Sequence, residues 1–368
     1  MKLLFLTNIP SPYRVDFFNE LGKYCDLTVT FEKPASDERD ESWKRFSFDS
    51  FRGVVLNAVS SGADRGFYPG IGRFVKDRSF DEVIVTNLSS PTTLWAALVM
   101  RMRRRRYYIE ADGAFVRGEN FMKRMVKRFI VKGAKGFFST CEECDRYFLK
   151  YGAEKNAIHR YPFSSLREAD MYKPRLSRAE ARSLIGFGDE TVVLYVGRYS
   201  RVKGADLLLK AAELSDRSIC FCFVGGEPPQ EITERKRALG LTNLRFVDFK
   251  LGDELSAYYS AADIFVMPTR GDVWGLVVNE AMAHRLPVIS TDMCNAAREL
   301  IAPGENGLIV PAQDPEALAK AIGLLAADHE MRARFGEKGF EAAKGFTIEA
   351  MCREHIRVLS GETPAKAD

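Results

Sequence analysis

The sequence predicts an α/β protein built from two doubly wound, Rossmann-like domains. Three observations point there. The chain has 368 residues, about two domains' worth at roughly 100–200 residues each. Short apolar runs alternate with stretches of helical spacing along both halves. One stretch rich in charge and interrupted by proline, 161–188, breaks the alternation and reads as a linker. With 46% hydrophobic and 28% charged residues, the composition excludes a disordered or fibrous chain. The apolar run Leu94–Met100 is far below the ~18 residues a spanning helix needs, and the first apolar run is too short for a signal peptide. Seven scattered cysteines fit reduced thiols better than a disulfide framework. A cytoplasmic protein is expected.

In the first half, Leu3–Thr7, Leu27–Phe31, Glu82–Thr86, Tyr107–Glu110 and Gly136–Thr140 read as strands. Tyr13–Tyr24, Thr92–Met102, Phe121–Val131 and Glu142–Tyr151 read as the helices between them. In the second half the strands are Val192–Val196, Ile219–Val224, Leu244–Val247, Ile264–Met267 and Val288–Thr291. Ala205–Glu213, Glu231–Leu239, Glu254–Ala261, Leu276–Ala283 and Ala296–Ile301 are the intervening helices. From Pro315 to about Leu359 the chain reads as helical, and 362–368 as a fraying tail. The expected domains are 1–165 and 166–345, followed by a C-terminal segment, 346–368. Strands separated by helices of this length make parallel sheets covered on both faces. Two such domains in tandem leave a cleft, and ligands of these sheets sit beyond the carboxyl ends of the strands.

Three loops after strands carry chemistry. In Phe265–Ser290 a strand ends at Met267 and a helix opens near Gly275–Leu276. Free N–H groups and the positive end of the helix dipole make an anion site there. Asp272 and Glu280 are two carboxylates fit to bind the hydroxyls of a sugar or ribose. The plain alternative is that Asp272 caps the helix while Glu280 pairs with a neighbouring Lys or Arg. In Val196–Ala205, Arg198 and Lys203 flank a turn and could neutralise a diphosphate. The turn Val224-Gly225-Gly226-Glu227 could approach a base or ribose, or serve only as a turn.

Taken together, these loops resemble the nucleotide-sugar domain of the family-4 retaining glycosyltransferases of GT-B fold. The matching residues are Gly197-Arg198, Lys203-Gly204, Pro268-Thr269, Asp272, Gly275-Leu276, Glu280-Ala281-Met282-Ala283 and Pro287-Val288-Ile289. Glu305-Asn306-Gly307-Leu308 and Pro311 continue the match, which is close from Thr191 to about Ala326. The resemblance implies that Arg198 and Lys203 hold a donor diphosphate and that Glu280 binds the ribose. The backbone of Val273, Trp274, Gly275 and Leu276 would meet phosphate and sugar, and Asp272 the sugar hydroxyls. Contacts around Gly225, Gly226 and Phe249 would then set donor selectivity. The resemblance also implies a C-terminal helix returning to the first domain. Asp272 stands where the family more often has Glu. Arg285 stands where a Gly usually follows the helix. In the first half the loop Asn8–Arg14, the segment Glu110-Ala111-Asp112-Gly113 and Tyr161–Leu166 resemble one subgroup. Asp112 is the favoured site residue there, ahead of Glu110, with Arg14 on the donor side.

The expectation is therefore a hexosyl- or N-acetylhexosaminyl-transferase, with a UDP-sugar favoured as donor and a glycan or lipid-linked hydroxyl as acceptor. No cofactor is expected, and no metal, because no Asp-x-Asp occurs. A non-catalytic sugar-nucleotide binder is the alternative. A nicotinamide dehydrogenase is less favoured, since no Gly-x-Gly-x-x-Gly follows a strand. Residues 101–135 hold twelve Lys/Arg against three acids, which indicates an anionic partner or a solvated face. Around helix 121–135, Phe121, Met125, Phe129 and Ile130 accompany Lys123, Arg124, Lys127 and Arg128. Such a helix could rest on anionic lipid at the inner face of the membrane. Nucleic acid is not expected, because no aromatic-interleaved reading motif accompanies the arginines. The Cys141/Cys144 pair reads as a helix start, and the four histidines lack ligand spacing.

Overall fold

The computed structural model describes residues 1–34, 47–58, 66–86, 88, 90–116, 118–173 and 175–362. The chain forms two compact units, Met1–Ser165 with Phe346–Asp368, and Leu166–Gly345. Arg117 of the basic segment and the tail beyond Glu362 lie outside the described residues.

The first unit runs β1 (Lys2–Thr7), α1 (Pro12–Leu21), β2 (Asp26–Phe31), β3 (Arg52–Val55), α2 (Ile71–Lys76) and β4 (Glu82–Val85). It continues with α3 (Pro91–Met102), β5 (Tyr107–Glu110), α4 (Phe121–Val131), β6 (Ala134–Ser139), α5 (Glu142–Lys150) and β7 (Ile158–Arg160). The sheet is parallel, in the order β3-β2-β1-β4-β5-β6-β7. Leu3, Leu4 and Phe5 of the central strand are fully buried, as expected where helices cover both faces. Ser11 precedes α1 and Pro12 opens it, placing the missing proline N–H where no intrahelical partner exists. The two edge strands were not evident in the sequence. β3 is only half-buried and β7 has three residues, so neither carries a long apolar run.

The second unit runs α6 (Glu168–Tyr172), α7 (Arg178–Ile185), β8 (Val192–Val196), α8 (Ala205–Leu214), β9 (Cys220–Val224) and α9 (Gln230–Ala238). Next come β10 (Leu244–Val247), α10 (Gly252–Ala261), β11 (Ile264–Met267), α11 (Leu276–Ala283), β12 (Val288–Thr291) and α12 (Asn295–Leu300). The unit closes with β13 (Gly307–Val310), α13 (Pro315–Ala327) and α14 (His329–Ala343). Its parallel sheet has the order β10-β9-β8-β11-β12-β13. The chain then returns to the first unit as α15 (Ile348–Leu359), which packs on α1.

Two expectations need correction. The stretch 161–188 is not an open linker, because it contains α6 and α7. Ser177 and Glu180 form a reciprocal capping box that starts α7 despite the surrounding charge. The C-terminal helical stretch is three helices: Asp328 ends α13 and caps α14, accepting from the Met331 N–H at 2.8 Å. Arg285 keeps the left-handed turn without a glycine, at φ 55°. Its guanidinium lies 3.8 Å from the Phe340 ring centre and donates to Glu337 at 2.8 Å, contacts that offset a backbone cost of roughly 1–2 kcal/mol.

Candidate functional site

In the six-stranded sheet the strand order reverses between β8 and β11, and open α/β sheets bind ligands outside the carboxyl ends at such a reversal. The loop after β8 carries Arg198 and Lys203; the loop after β11 carries Asp272, Val273, Trp274 and Gly275. The two loops are laced together. Arg270 N–H donates to the Val202 carbonyl at 2.7 Å, and its guanidinium binds both oxygens of Asp206 at 2.8 and 2.7 Å. Gly204 passes so close that a Cβ would lie 1.9 Å from the Pro268 carbonyl oxygen, so no other residue fits. Lys203 Nζ forms an ion pair with the Asp272 carboxylate, bringing together two residues 69 apart in sequence.

Gly275 caps α11 at φ 110°, and a Cβ there would meet Cys294 Sγ at 2.8 Å. The first N–H groups of α11 therefore open onto the same edge as Lys203, without an intervening side chain at the cap. Arg198 is exposed on that edge, its carbonyl held by the Tyr195 hydroxyl at 2.9 Å. Gly225 and Gly226 follow β9, with Gly225 packed against the Gly197 carbonyl, and Phe249 lies exposed after β10. The Trp274 ring is buried and donates to Asn279 at 3.0 Å. Only its backbone is left to meet a ligand, and its carbonyl already accepts from Ala296 at 2.9 Å.

Glu280 projects from α11. Tyr259, fully buried on α10, donates its hydroxyl to Glu280 Oε2 at 2.9 Å. His284 places Nδ1 2.8 Å from the Glu280 carbonyl and stacks on Tyr259 at 4.9 Å. Burial and the charge of Arg175 push the His284 imidazole down to about 4. Glu280 is thus held by a buried phenol at its carboxylate and by a neutral histidine at its backbone carbonyl. Neither Tyr259 nor His284 was picked out from the sequence, because their partners are reached only through the fold.

In the first unit a second charged group is buried beyond the carboxyl end of β5. Arg14, from α1, is buried. It contacts Glu110 Oε1 at 2.6 Å and pairs with Asp112, under the rings of Phe5, Phe17 and Phe163. Glu110 also accepts from the Tyr161 hydroxyl at 3.2 Å and meets His355 Nε2 of α15 at 3.1 Å. His355 Nδ1 faces the Met351 carbonyl at 2.7 Å, and its ring stacks on Phe138 at 4.2 Å. Burial would push the Glu110 carboxyl up, but Arg14 and His355 overcome it and hold the group at about 2. Asp112 goes the other way: burial and the Glu110 charge outweigh Arg14 and push it up to about 6. Asp112 keeps 31% of its side chain exposed, whereas Glu110 is sealed. Of the three residues expected here, Asp112 alone faces outward; Arg14 is spent inside the unit. His355 belongs to this group although its sequence position, 245 residues from Glu110, gave no sign of it.

Residues 177–342 match the family model described as glycosyl transferases group 1. The match lies within the second unit and spans most of it. D-inositol 3-phosphate glycosyltransferase of Corynebacterium glutamicum (strain R) is 32% identical over 226 residues, covering 58% of this chain and 53% of that protein. The chain spans about half the length of the curated relatives it matches. Among solved structures, HepE of Anabaena in complex with UDP is similar with a TM-score of 0.81 at 17% identity, over 98% of this chain and 100% of that one. Sucrose-phosphate synthase from Thermosynechococcus elongatus is similar with a TM-score of 0.76 at 21% identity, over 98% of each chain. The glycosyltransferase resemblance read from the loop motifs therefore stands at the level of group 1 glycosyl transferases, and the fold is of the GT-B type.

In the basic segment, Phe121, Met122 and Met125 are exposed beside Lys123 and Arg124 at the start of α4. Ile130 and Val131 turn inward, and Lys127 pairs with Glu119 at 2.9 Å. No helix among the described residues is long and apolar enough to cross a membrane.

Proposed function

We propose that the protein transfers a glycosyl group, with retention, from a nucleoside diphosphate sugar to a hydroxyl of a glycan or lipid-linked acceptor. A UDP-sugar is the favoured donor, hexose or N-acetylhexosamine the favoured group, and cell-surface polysaccharide synthesis the setting. The reading rests on one observation above the others: Lys203, Asp272 and the Gly275 cap of α11 converge at the strand-order reversal of a group 1 unit. As the glycosidic bond breaks, charge builds on the leaving diphosphate. Lys203, Arg198 and the N–H groups of α11 are arranged to stabilise that charge more in the transition state than in the ground state. Glu280 takes the ribose hydroxyls, and Asp272 a hydroxyl of the sugar. The acceptor oxygen attacks from the leaving-group face and passes its proton to a phosphate oxygen, so no protein nucleophile is needed. No cofactor enters this scheme. UDP in complex with the similar HepE supports uridine as the base.

The test is a thermal-shift screen with UDP-, GDP- and ADP-sugars, followed by turnover of Lys203→Ala and Glu280→Ala on the donor that shifts. Each variant should lose at least ~100-fold in kcat/KM; near-normal turnover in both overturns the assignment. The exposed Phe121, Met122 and Met125 beside Lys123 and Arg124 further support a peripheral role at the inner face of the membrane. Sedimentation with anionic vesicles at low salt, weakening at high salt, tests that role, and no binding at low salt removes it.

A further inference from the structure

The second unit has a cavity of about 530 Å³ at the opposite edge of its sheet from the donor loops. Ala262 and Asp263, just before β11, and Leu286 and Pro287, just before β12, form its floor. The volume is that of a small-molecule site. Its charge is one-sided: Lys173, Arg175, Arg178, Arg285 and Arg332 line it against one carboxylate, Asp263. Asp263 is already shared between Arg178 at 2.7 Å and Arg182 at 2.5 Å. Lys173 and Arg285 are paired outward, with Asp253 at 2.6 Å and Glu337 at 2.8 Å. Arg175 and Arg332 form no ion pair with a carboxylate among the described residues. Arg175 donates to the carbonyls of Ala283 at 2.7 Å and Asp170 at 2.6 Å, and Arg332 to those of Leu325 at 2.6 Å and Ala326 at 2.8 Å. Carbonyls fix these guanidiniums in place, and the only carboxylate charge felt by Arg175, that of Asp170, does not outweigh burial and the repulsion of Arg285. Burial and the facing Arg285 hold Arg175 below the usual guanidinium range.

We propose that this cavity binds a phosphate-bearing anion, a phosphate or diphosphate ester, through Arg175 and Arg332. Two fixed planar cations in a concave wall match a phosphoryl group, which supplies the charge the protein lacks there. Tyr259 and His284 form the inner wall, and these are the two residues that hold Glu280 from behind. An occupant therefore touches the two residues that hold Glu280 without sharing the donor loops.

Isothermal titration with inorganic pyrophosphate tests the site on the full chain. Binding should persist in Lys203→Ala, which removes the donor-edge ammonium, and weaken at least ~10-fold in Arg175→Gln/Arg332→Gln. Ala333→Glu sets a carboxylate on the exposed cavity wall without removing a packed group, and should weaken binding equally while UDP binding is unchanged. Pyrophosphate binding lost in Lys203→Ala and kept in both cavity variants overturns the proposal, as does no binding to the unmodified chain. Vesicles containing phosphatidic acid separate the two sources of such a group. Sedimentation that needs Arg175 and Arg332 assigns a lipid headgroup; pyrophosphate binding without it assigns a free ester.

Discussion

Replacing Glu110 with Gln changes one atom of the first unit and should unsettle much of its packing. The side chain is sealed from solvent and meets Arg14 at 2.6 Å, His355 at 3.1 Å and Tyr161 at 3.2 Å. Gln keeps the shape, so no cavity opens, but Arg14 loses one of its two carboxylates in a buried site. Removing one partner of a buried pair costs about 3–5 kcal/mol. The first unit has about 190 residues, for which each kcal/mol moves Tm by roughly 2–4 °C. The transition of that unit should therefore fall by about 6–20 °C, read by differential scanning calorimetry at pH 7. The difference also has a pH signature. Glu110 is held at about 2 in the folded chain, against about 4.3 when unfolded. Its contribution is fully present above the unfolded value and is lost as pH falls from about 4 through about 2. The gap between the two proteins should close over that range. A variant melting within about 2 °C of the parent at pH 7 refutes the account of Arg14, Glu110 and His355 as one buried group.

Asp112 should behave in the opposite sense. Its folded value, about 6, lies above the unfolded ~3.9, so its contribution is present below the unfolded value and is lost as pH rises through 6. Asp112→Asn should thus gain stability relative to the parent above pH 6 while losing turnover, and a stability loss at pH 7 removes this reading. Tyr259→Phe deletes a buried donor to Glu280, a bond to a charged group worth about 1.5–3 kcal/mol. Donor KM should rise at least ~10-fold with kcat little changed, whereas equal losses in both would contradict a positioning role. Gly336→Ala places a Cβ 2.1 Å from the Arg285 carbonyl oxygen, and should cost about 1–3 kcal/mol by overpacking, visible as a lower urea midpoint with donor affinity kept.

How far the sequence carried depended on how local each signal was. Central strands such as Val192–Val196 and Ile264–Met267 were legible to the residue, because strands buried on both faces read as unbroken apolar runs. The edge strands Ile158–Arg160 and Gly307–Val310 were not, because one is too short and the other starts on glycine. The loops after β8 and β11 were legible as chemistry, since Gly, Lys, Asp and Glu sit there at spacings a helix start explains. The supports behind them were hidden. Tyr259 reaches Glu280 from another helix, and His355 reaches Glu110 across 245 residues. Arg14 looked like an open cation because charge in a sequence carries no information about burial.

Lys203 and Asp272 neutralise each other in this structure, which constrains the proposed reaction. A diphosphate must displace one carboxylate from the ammonium. It does so with more charge, and with the α11 N–H groups adding to its attraction. Asp272 cannot follow Lys203, because its backbone is tied to the next loop by the Met293 and Asn295 bonds at 2.8 and 3.2 Å. On the proposed scheme the carboxylate is therefore released in place, beside the arriving phosphate, ready to accept from a sugar hydroxyl. The shorter reach of Asp against Glu then matters less than its anchoring, since the group is set by Lys203 before the donor enters. On this reasoning the phosphate and sugar contacts are two successive states of one ion pair, and losing either partner disables both.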